Sequence, residues 1–240
     1  MTKDLTIAID GPAGAGKSTI AHQVAQKLGY LYLDTGVMYR AVTYTALERH
    51  ADISDEKAIV ALAEGIQIDI VTNAANDGCT HTVYIDQVDV TDHLYSASVD
   101  SCVSPVSEYA GVREAMTKQQ RRFGERGGVV MVGRDIGTVV LPDADLKFFL
   151  DAAVEVRARR RWLDYQGKGR QVVYDDILAA LKRRDKIDSQ RALSPLQAAD
   201  DAIIIDTTSM SIHDVVEEVM AIIGERLNRV SHTTVEDDHD

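Results

Sequence analysis

The sequence predicts an α/β fold with a five-stranded parallel sheet and helices on both faces, and three observations lead there. Short apolar runs rich in strand formers recur along the chain. Segments of helical period separate them, and the first run feeds through a glycine-rich turn directly into a helix. That first run is Leu5-Thr6-Ile7-Ala8-Ile9, stopped by the turn signal Asp10-Gly11-Pro12. From Lys17 the apolar positions Ile20, Ala21, Val24, Ala25 and Leu28 share a helical face, Gly29 is the stop, and Leu31-Tyr32-Leu33 follows as a strand.

Helices are expected over about 38–49 and over 54–63, the second capped by Ser54. The period then changes. Ile66, Ile68 and Ile70 alternate with polar residues, as do Val83 and Ile85 with Thr82, Tyr84 and Asp86. With Val88, Val90 and a turn over 73–78, these form a small antiparallel sheet, roughly residues 63–95, inserted into the α/β chain. Beyond it, Val129-Val130-Met131-Val132, Leu146-Lys147-Phe148-Phe149-Leu150 and Ala202-Ile203-Ile204-Ile205 complete the five runs, continuous in the manner of buried parallel strands. Helices over 112–123, 154–165, 174–185 and 212–227 separate or follow them. One domain over 1–228 is expected, with its core in 1–36 and 104–228, an inserted lobe of about 37–103 and a short lid of about 157–171. The residues 229–240, with Glu236, Asp237, Asp238 and Asp240 and no apolar period, read as a disordered acidic tail.

Composition narrows the classes of function. With 240 residues, 45% of them hydrophobic and 27% charged, the chain can bury a full core. No apolar stretch approaches the roughly 18 residues of a membrane span, and Met1-Thr2-Lys3-Asp4 runs into the first strand without a signal-peptide pattern. A cytoplasmic protein with no membrane partner is therefore expected. Cys79 and Cys102 lack metal-site spacing and read as free thiols. A net charge of −12 argues against nucleic acid as a partner. Yet of 17 arginines, 13 lie between Arg113 and Arg191, a concentration of bidentate anion-binding groups that points to a small phosphorylated ligand.

The run Gly11, Pro12, Ala13, Gly14, Ala15, Gly16, Lys17, Ser18, Thr19 fits the pattern G-x-x-x-x-G-K-S/T, with a strand before it and an amphipathic helix after it. It is the phosphate-binding loop of a P-loop NTPase. Glycines let backbone N–H groups turn inward around the ATP phosphates, and the following helix adds its positive end. Lys17 is placed to reach the β/γ-phosphates and the Ser18 hydroxyl to ligate Mg²⁺. The same fold hosts GTPases, motors and small-molecule kinases, so the acceptor must be read from other residues.

Asp34-Thr35-Gly36-Val37-Met38-Tyr39-Arg40 follows the second strand, at the carboxyl edge where ligands bind in open α/β sheets. Thr35 and Tyr39 can donate hydrogen bonds and Arg40 can fork onto a phosphate, although ordinary helix capping by Asp34 or Thr35 accounts for part of the motif equally well. Gly133-Arg134-Asp135-Ile136-Gly137-Thr138 sits at the end of another buried strand, where an adjacent Arg and Asp make poor core material; a surface turn with a local ion pair is the plainer alternative. Arg157, Arg159, Arg160 and Arg161 lead into Gly167-Lys168-Gly169-Arg170, a basic helix with a flexible tip, as a closing lid or a solvated face would show. Arg184, Asp188 and Arg191, spaced by four and three, share a face of one helix.

Phosphoryl transfer to another phosphate needs no general base, because the acceptor oxygen is already anionic; the obstacle is repulsion, which arginines in a closing site relieve. No His, Ser or Cys nucleophile stands out.

Through IDGPAGAGKST, LDTGVMYRA, VREAM, GRDIGTVV, LKFFLDA, RRDKIDSQRALSPL and IIIDTT, the chain resembles the bacterial-type cytidylate kinases, P-loop nucleoside-monophosphate kinases, to about residue 228. The insert resembles that family's enlarged monophosphate-binding lobe. The resemblance implies ATP-dependent phosphorylation of CMP and dCMP with Mg²⁺, by a protein expected to be monomeric. It places Arg40, Arg134 and Arg191 around the acceptor phosphate, Ser104, Arg113 and Asp135 at the cytosine, and Arg184 with Asp188 at the sugar. Lys17, Arg134, Arg157 and Arg191 are the expected catalytic residues, with Arg157 and Arg161 acting from the lid. Cytosine offers an N4 amino donor and an N3 acceptor, which suit a carboxylate and an Arg or Ser donor. Asp34 is the better candidate for a further Mg²⁺ ligand and Asp10 the poorer. Kinases of similar fold acting on UMP, AMP or shikimate, and a nucleotide-responsive binding protein, remain the rival readings.

Overall fold

A computed structural model describes residues 4–72, 81–167, 169–191 and 193–236, without the side chains of residues 72, 81 and 229–236. Its strands are β1 Thr6–Asp10, β2 Leu31–Asp34, β3 Ile68–Thr72, β4 His81–Ile85, β5 Val88–Asp89, β6 Val129–Val132, β7 Leu146–Asp151 and β8 Ile203–Asp206. Its helices are α1 Lys17–Leu28, α2 Gly36–Glu48, α3 Glu56–Gly65, α4 Ala97–Glu108, α5 Ala110–Gly124, α6 Val154–Gly167, α7 Tyr174–Gln190 and α8 Ile212–Glu236. The five-stranded sheet has the order β2-β6-β1-β7-β8, and β3, β4 and β5 form a separate three-stranded sheet. The chain divides into two compact units, Met1–Tyr30 with Gly127–Asp240, and Leu31–Arg126.

In the larger unit β1 lies between β6 and β7, both parallel to it, with Ile7 opposite Val130 and Leu146. Ile7, Ala8 and Ile9 are fully buried, as are Val129, Val130 and Met131 beside them. This is why these segments read as continuous apolar runs rather than alternating ones: both faces of a central parallel strand are covered. Truncating Ile9 to Ala would cost about 2–5 kcal/mol in such a packed site. Because β1 and β6 are parallel neighbours, the loops after Asp10 and after Val132 leave the sheet at the same edge. After β6 the chain makes one π-helical turn, Ile136–Val140, which strand and helix periods do not anticipate.

In the smaller unit β3 and β4 pair antiparallel with Ile68 opposite Ile85 and Ile70 opposite Val83, all four buried, as the alternation predicts. The expected turn over 73–78 lies outside the described residues. Two local readings are corrected. Asp55, not Ser54, caps α3, its carboxylate accepting from Ala58 N at 3.2 Å, while Ser54 donates to Asp52. Helix α4 was not expected, since Ala97–Glu108 is rich in serine and carries Pro105 in its interior. It persists because Ser96 caps it and because Val99 and Val106 are buried, tertiary packing overriding propensity. Helix α7 extends to Gln190, past the expected end at 185, and α8 runs to Glu236, into the segment read as an acidic tail.

Candidate phosphoryl-transfer site

The glycine-rich loop of the larger unit is built to a tight tolerance. Gly11 has φ of 143°, and a Cβ there would lie 2.0 Å from Leu150 O, so no side chain fits. Gly16, at φ 88°, turns the chain into α1 as its N-cap without offering a side chain that would compete for the first-turn N–H groups. Lys17 reaches back over the loop, its Nζ donating to Pro12 O at 2.7 Å. Ser18 and Thr19 are exposed in the first turn of α1. The loop is also held from beneath. Ala13 is buried against Ala158, Ile177 and Leu181 of α6 and α7.

Arg157, read from the sequence as a lid cation, supplies a polar part of that support. Its side chain is 5% exposed. Nε donates to Ala152 O at 2.8 Å, Nη1 to Ala13 O at 3.0 Å, and the guanidinium grips Asp185 at 2.6 and 3.2 Å. Arg160, read as an ordinary surface charge, donates to Thr207 Oγ1 and O, and Thr207 Oγ1 donates to Ala15 O at 3.5 Å. Arg161 donates to the Tyr165 hydroxyl, and Arg161 and Arg170 both approach the Tyr165 ring. Asp185 and Thr207 carried no assignment in the sequence. Each sits in a resembling motif, but the motif alone does not say what the side chain touches.

The second constellation of the larger unit gathers Arg134, Asp135, Arg184, Asp188 and Arg191. Arg134 Nε lies 3.0 Å from Asp188 Oδ2, and its Nη1 donates to Gly11 O at 3.0 Å. Arg191 Nη1 lies 3.8 Å from Asp188 Oδ1 and its Nη2 3.9 Å from Asp135 Oδ1. Arg184 Nε is 3.9 Å from Asp188 Oδ2. The expected spacing holds: Arg184 and Asp188 lie on α7, and Arg191 is its C-cap residue. Among the described residues, three guanidiniums thus gather around Asp188 and Asp135. Burial, followed by repulsion from Arg184 and Arg191, lowers the Arg134 pKa to about 10, partly opposed by Asp188 and Asp185. It stays protonated at neutral pH, in a setting an incoming anion would relieve.

Asp10, at the end of β1, is 5% exposed and accepts from Ile136 N at 2.9 Å and Gly137 N at 2.7 Å. Burial pushes its carboxyl up to about 6, against the lowering effect of those two amides; Asp135 raises it further and Lys17 lowers it.

The smaller unit holds the remaining expected residues. Thr35 occupies the N-cap position of α2 and is buried. Arg40 Nη1 donates to Leu94 O at 3.0 Å and to Asp100 at 2.7 Å, and the guanidinium lies 4.9 Å from the Tyr95 ring centroid. Arg113, 7% exposed, donates to Ser107 O and lies over the ring of Tyr39. Ser104 is exposed on α4, one turn from Ser107. Asp34 accepts from Gly36 N and the Tyr32 hydroxyl.

The family described as cytidylate kinase matches residues 7–225. The cytidylate kinase of Bacillus licheniformis is 50% identical over 229 residues, covering 95% of this chain and 100% of that protein. Those of Bacillus subtilis and Desulfitobacterium hafniense are 46% and 45% identical, covering 94% and 95% of this chain and 99% and 96% of theirs.

Proposed function

The chain belongs to the cytidylate kinase family, and from that premise we propose how its residues divide the work of phosphorylating CMP and dCMP with ATP. The γ-phosphorus of ATP leaves its bridging oxygen to ADP and takes an oxygen of the CMP phosphate, giving CDP. That oxygen is anionic at neutral pH, so no base need remove a proton. What must be overcome is the repulsion between two polyanions.

The observation that carries the reading is the gathering of three guanidiniums around Asp188. Arg134, Arg184 and Arg191 converge there, and Arg134 has its pKa pulled down by burial and by its two cationic neighbours, a setting that suits an incoming phosphate. Arg134 and Arg191 take the acceptor phosphate, and Arg184 with Asp188 takes the sugar. Asp135 accepts from the cytosine N4 amino group, where uracil presents a carbonyl oxygen instead, so UMP would set an acceptor against this buried carboxylate. On the smaller unit, Thr35, Tyr39 and Arg40 are assigned to the acceptor and Ser104 with Arg113 to its base.

Residues Gly11 to Thr19 wrap the ATP phosphates and Lys17 spans the β- and γ-groups. Arg157 supports this loop from below, acting on Ala13 O and not directly on the nucleotide. The exposed Ser18 hydroxyl fits Mg²⁺, a hard ion that takes oxygen donors and completes its shell with substrate phosphates and water; Asp34 is a second candidate. Among the described residues no cluster of three His, Cys, Asp or Glu could form an all-protein cage, as a phosphate-borne ion would not require. When bound, Mg²⁺ neutralises charge on the β/γ oxygens. In this reading the protein acts as a monomer. A cytoplasmic setting, with free nucleotides and no membrane or nucleic acid as partner, suits a net charge of −12 and described residues that include no helix long and apolar enough to cross a membrane.

An ADP-release assay across CMP, dCMP, UMP, AMP and shikimate tests the assignment. CMP and dCMP lead; faster turnover of UMP would remove the cytosine roles, and ATP binding without turnover of any acceptor would revive a binding protein.

A further inference from the structure

The loop that carries Arg134 and Asp135 is pinned to β1 on both sides. Before it, Gly133 N donates to Ile9 O at 3.1 Å. After it, the amides of Ile136 and Gly137 converge on the two oxygens of Asp10. Only Arg134 and Asp135 lie between the pins, and Arg134 closes the circuit by donating to Gly11 O, the residue after Asp10. We infer that Asp10 is a positioning residue for acceptor recognition: its carboxylate fixes the backbone that aims Arg134 and Asp135.

The chemistry demands a carboxylate there. Two first-turn N–H groups of the π turn have no partner within the turn, and both are buried. A carboxylate supplies one oxygen to each. An asparagine supplies one oxygen and turns an N–H₂ donor toward the other amide, leaving that amide unsatisfied and pushing the chain away. The cost of keeping the charge is visible, since burial raises the Asp10 carboxyl although both amides oppose it. Displacing the pinned pair by about 1 Å is enough to lower turnover on the order of a hundredfold. Both oxygens are engaged with backbone, so this role also replaces the weaker reading of Asp10 as a Mg²⁺ ligand.

The inference rests on the assignment of Arg134 and Asp135 to the acceptor, and the experiment separates the two. Wild-type turnover of CMP is measured first; its absence overturns the family assignment and the positioning role with it. With wild-type turnover in hand, Asp10→Asn is expected to lower kcat/KM for CMP by about 30-fold or more while the KM for ATP moves less than about threefold. In an Arg134→Ala background the same substitution is expected to cost clearly less than in the wild type, because only Asp135 remains for it to aim. An equal loss on both substrates, or the full factor repeated in the Arg134→Ala background, overturns the positioning role. Should Asp10→Asn fail to fold, amide exchange in the wild-type protein decides: Ile136 and Gly137 exchange at least about a hundredfold slower than exposed loop amides, and exchange at the exposed-loop rate would show that no clamp exists.

Discussion

Replacing Arg134 with Met separates function from stability in a direction opposite to most buried substitutions. The guanidinium's pKa is pulled down to about 10 from its usual value, mainly by burial and then by Arg184 and Arg191. The folded state disfavours the charged form, so this residue lowers stability at every pH below about 10 and the penalty is lifted only as pH rises from there toward the residue's ordinary pKa. That lowering corresponds to a penalty on the order of 3 kcal/mol. The side chain is 17% exposed, so solvent screening removes little of it. The attraction to Asp188 is already within that balance, and Asp188 keeps Arg184 and Arg191 at 3.9 and 3.8 Å. Met retains the packed methylenes, while the hydrogen bond to Gly11 O is lost, at about 1 kcal/mol. Arg134→Met is therefore expected to leave the protein equally stable or up to about 2 kcal/mol more so, an unchanged or higher Tm by scanning fluorimetry. Its kcat/KM for CMP is expected to fall by about 10²–10³, the scale for removing one preorganised group aimed at transferring charge. A lower Tm with lost circular dichroism, or kcat/KM within about threefold of wild type, would refute the strained-receptor account.

The other expectations follow from single contacts. Asp185→Ala leaves the Arg157 charge buried without its carboxylate; as Asp185 is itself 24% exposed, the cost is expected at about 2–3 kcal/mol, and thermal melting should begin roughly 4–12 °C lower. Gly11→Ala drives a Cβ into Leu150 O at 2.0 Å, so calorimetry is expected to find no ATP binding in whatever folded protein is recovered. The raised Asp10 carboxyl makes a contribution to stability that is full below about pH 4 and is lost as pH rises through about 6, because the folded state binds the extra proton. In urea titrations the stability of Asp10→Asn relative to wild type should accordingly rise by about 3 kcal/mol between pH 4 and pH 7, and a flat difference would show that Asp10 ionises as it would in water.

The frame was legible because burial on both faces writes itself into composition. Central strands such as β1 and β6 are covered on both faces and so run mostly apolar, and those runs with the turn signals after them located the sheet and its ligand edge. Legibility failed where local chemistry is ambiguous. Ser54 and Asp55 are both good caps one residue apart, and the choice was made by Asp52, which engages Ser54. Helix α4 has a weak helical composition and is held by the burial of Val99 and Val106, which propensity cannot register. A single π turn has too few residues for any side-chain period, and its anchor, Asp10, lies 126 residues away from Ile136.

The arginines show where sequence reading of a site stops. Arg157 and Arg134 are the same residue type, both largely buried, both donating to a carbonyl of the glycine-rich loop. Their expected uses differ through the carboxylates they meet. Asp185 grips Arg157 with both oxygens, and two backbone carbonyls take further donors of that guanidinium, so charge and hydrogen bonds are satisfied within the protein. Asp188 is shared: its two oxygens face Arg134, Arg184 and Arg191, and Asp135 adds one more negative charge at 3.9 Å. Three guanidiniums gathered on one shared carboxylate are the arrangement that a dianionic phosphate suits best. The sequence gives the spacing of Arg184, Asp188 and Arg191, which was enough to group them, but not the apportioning of carboxylates. On the proposed roles, that apportioning is what would make one buried arginine a support and another a receptor for phosphate.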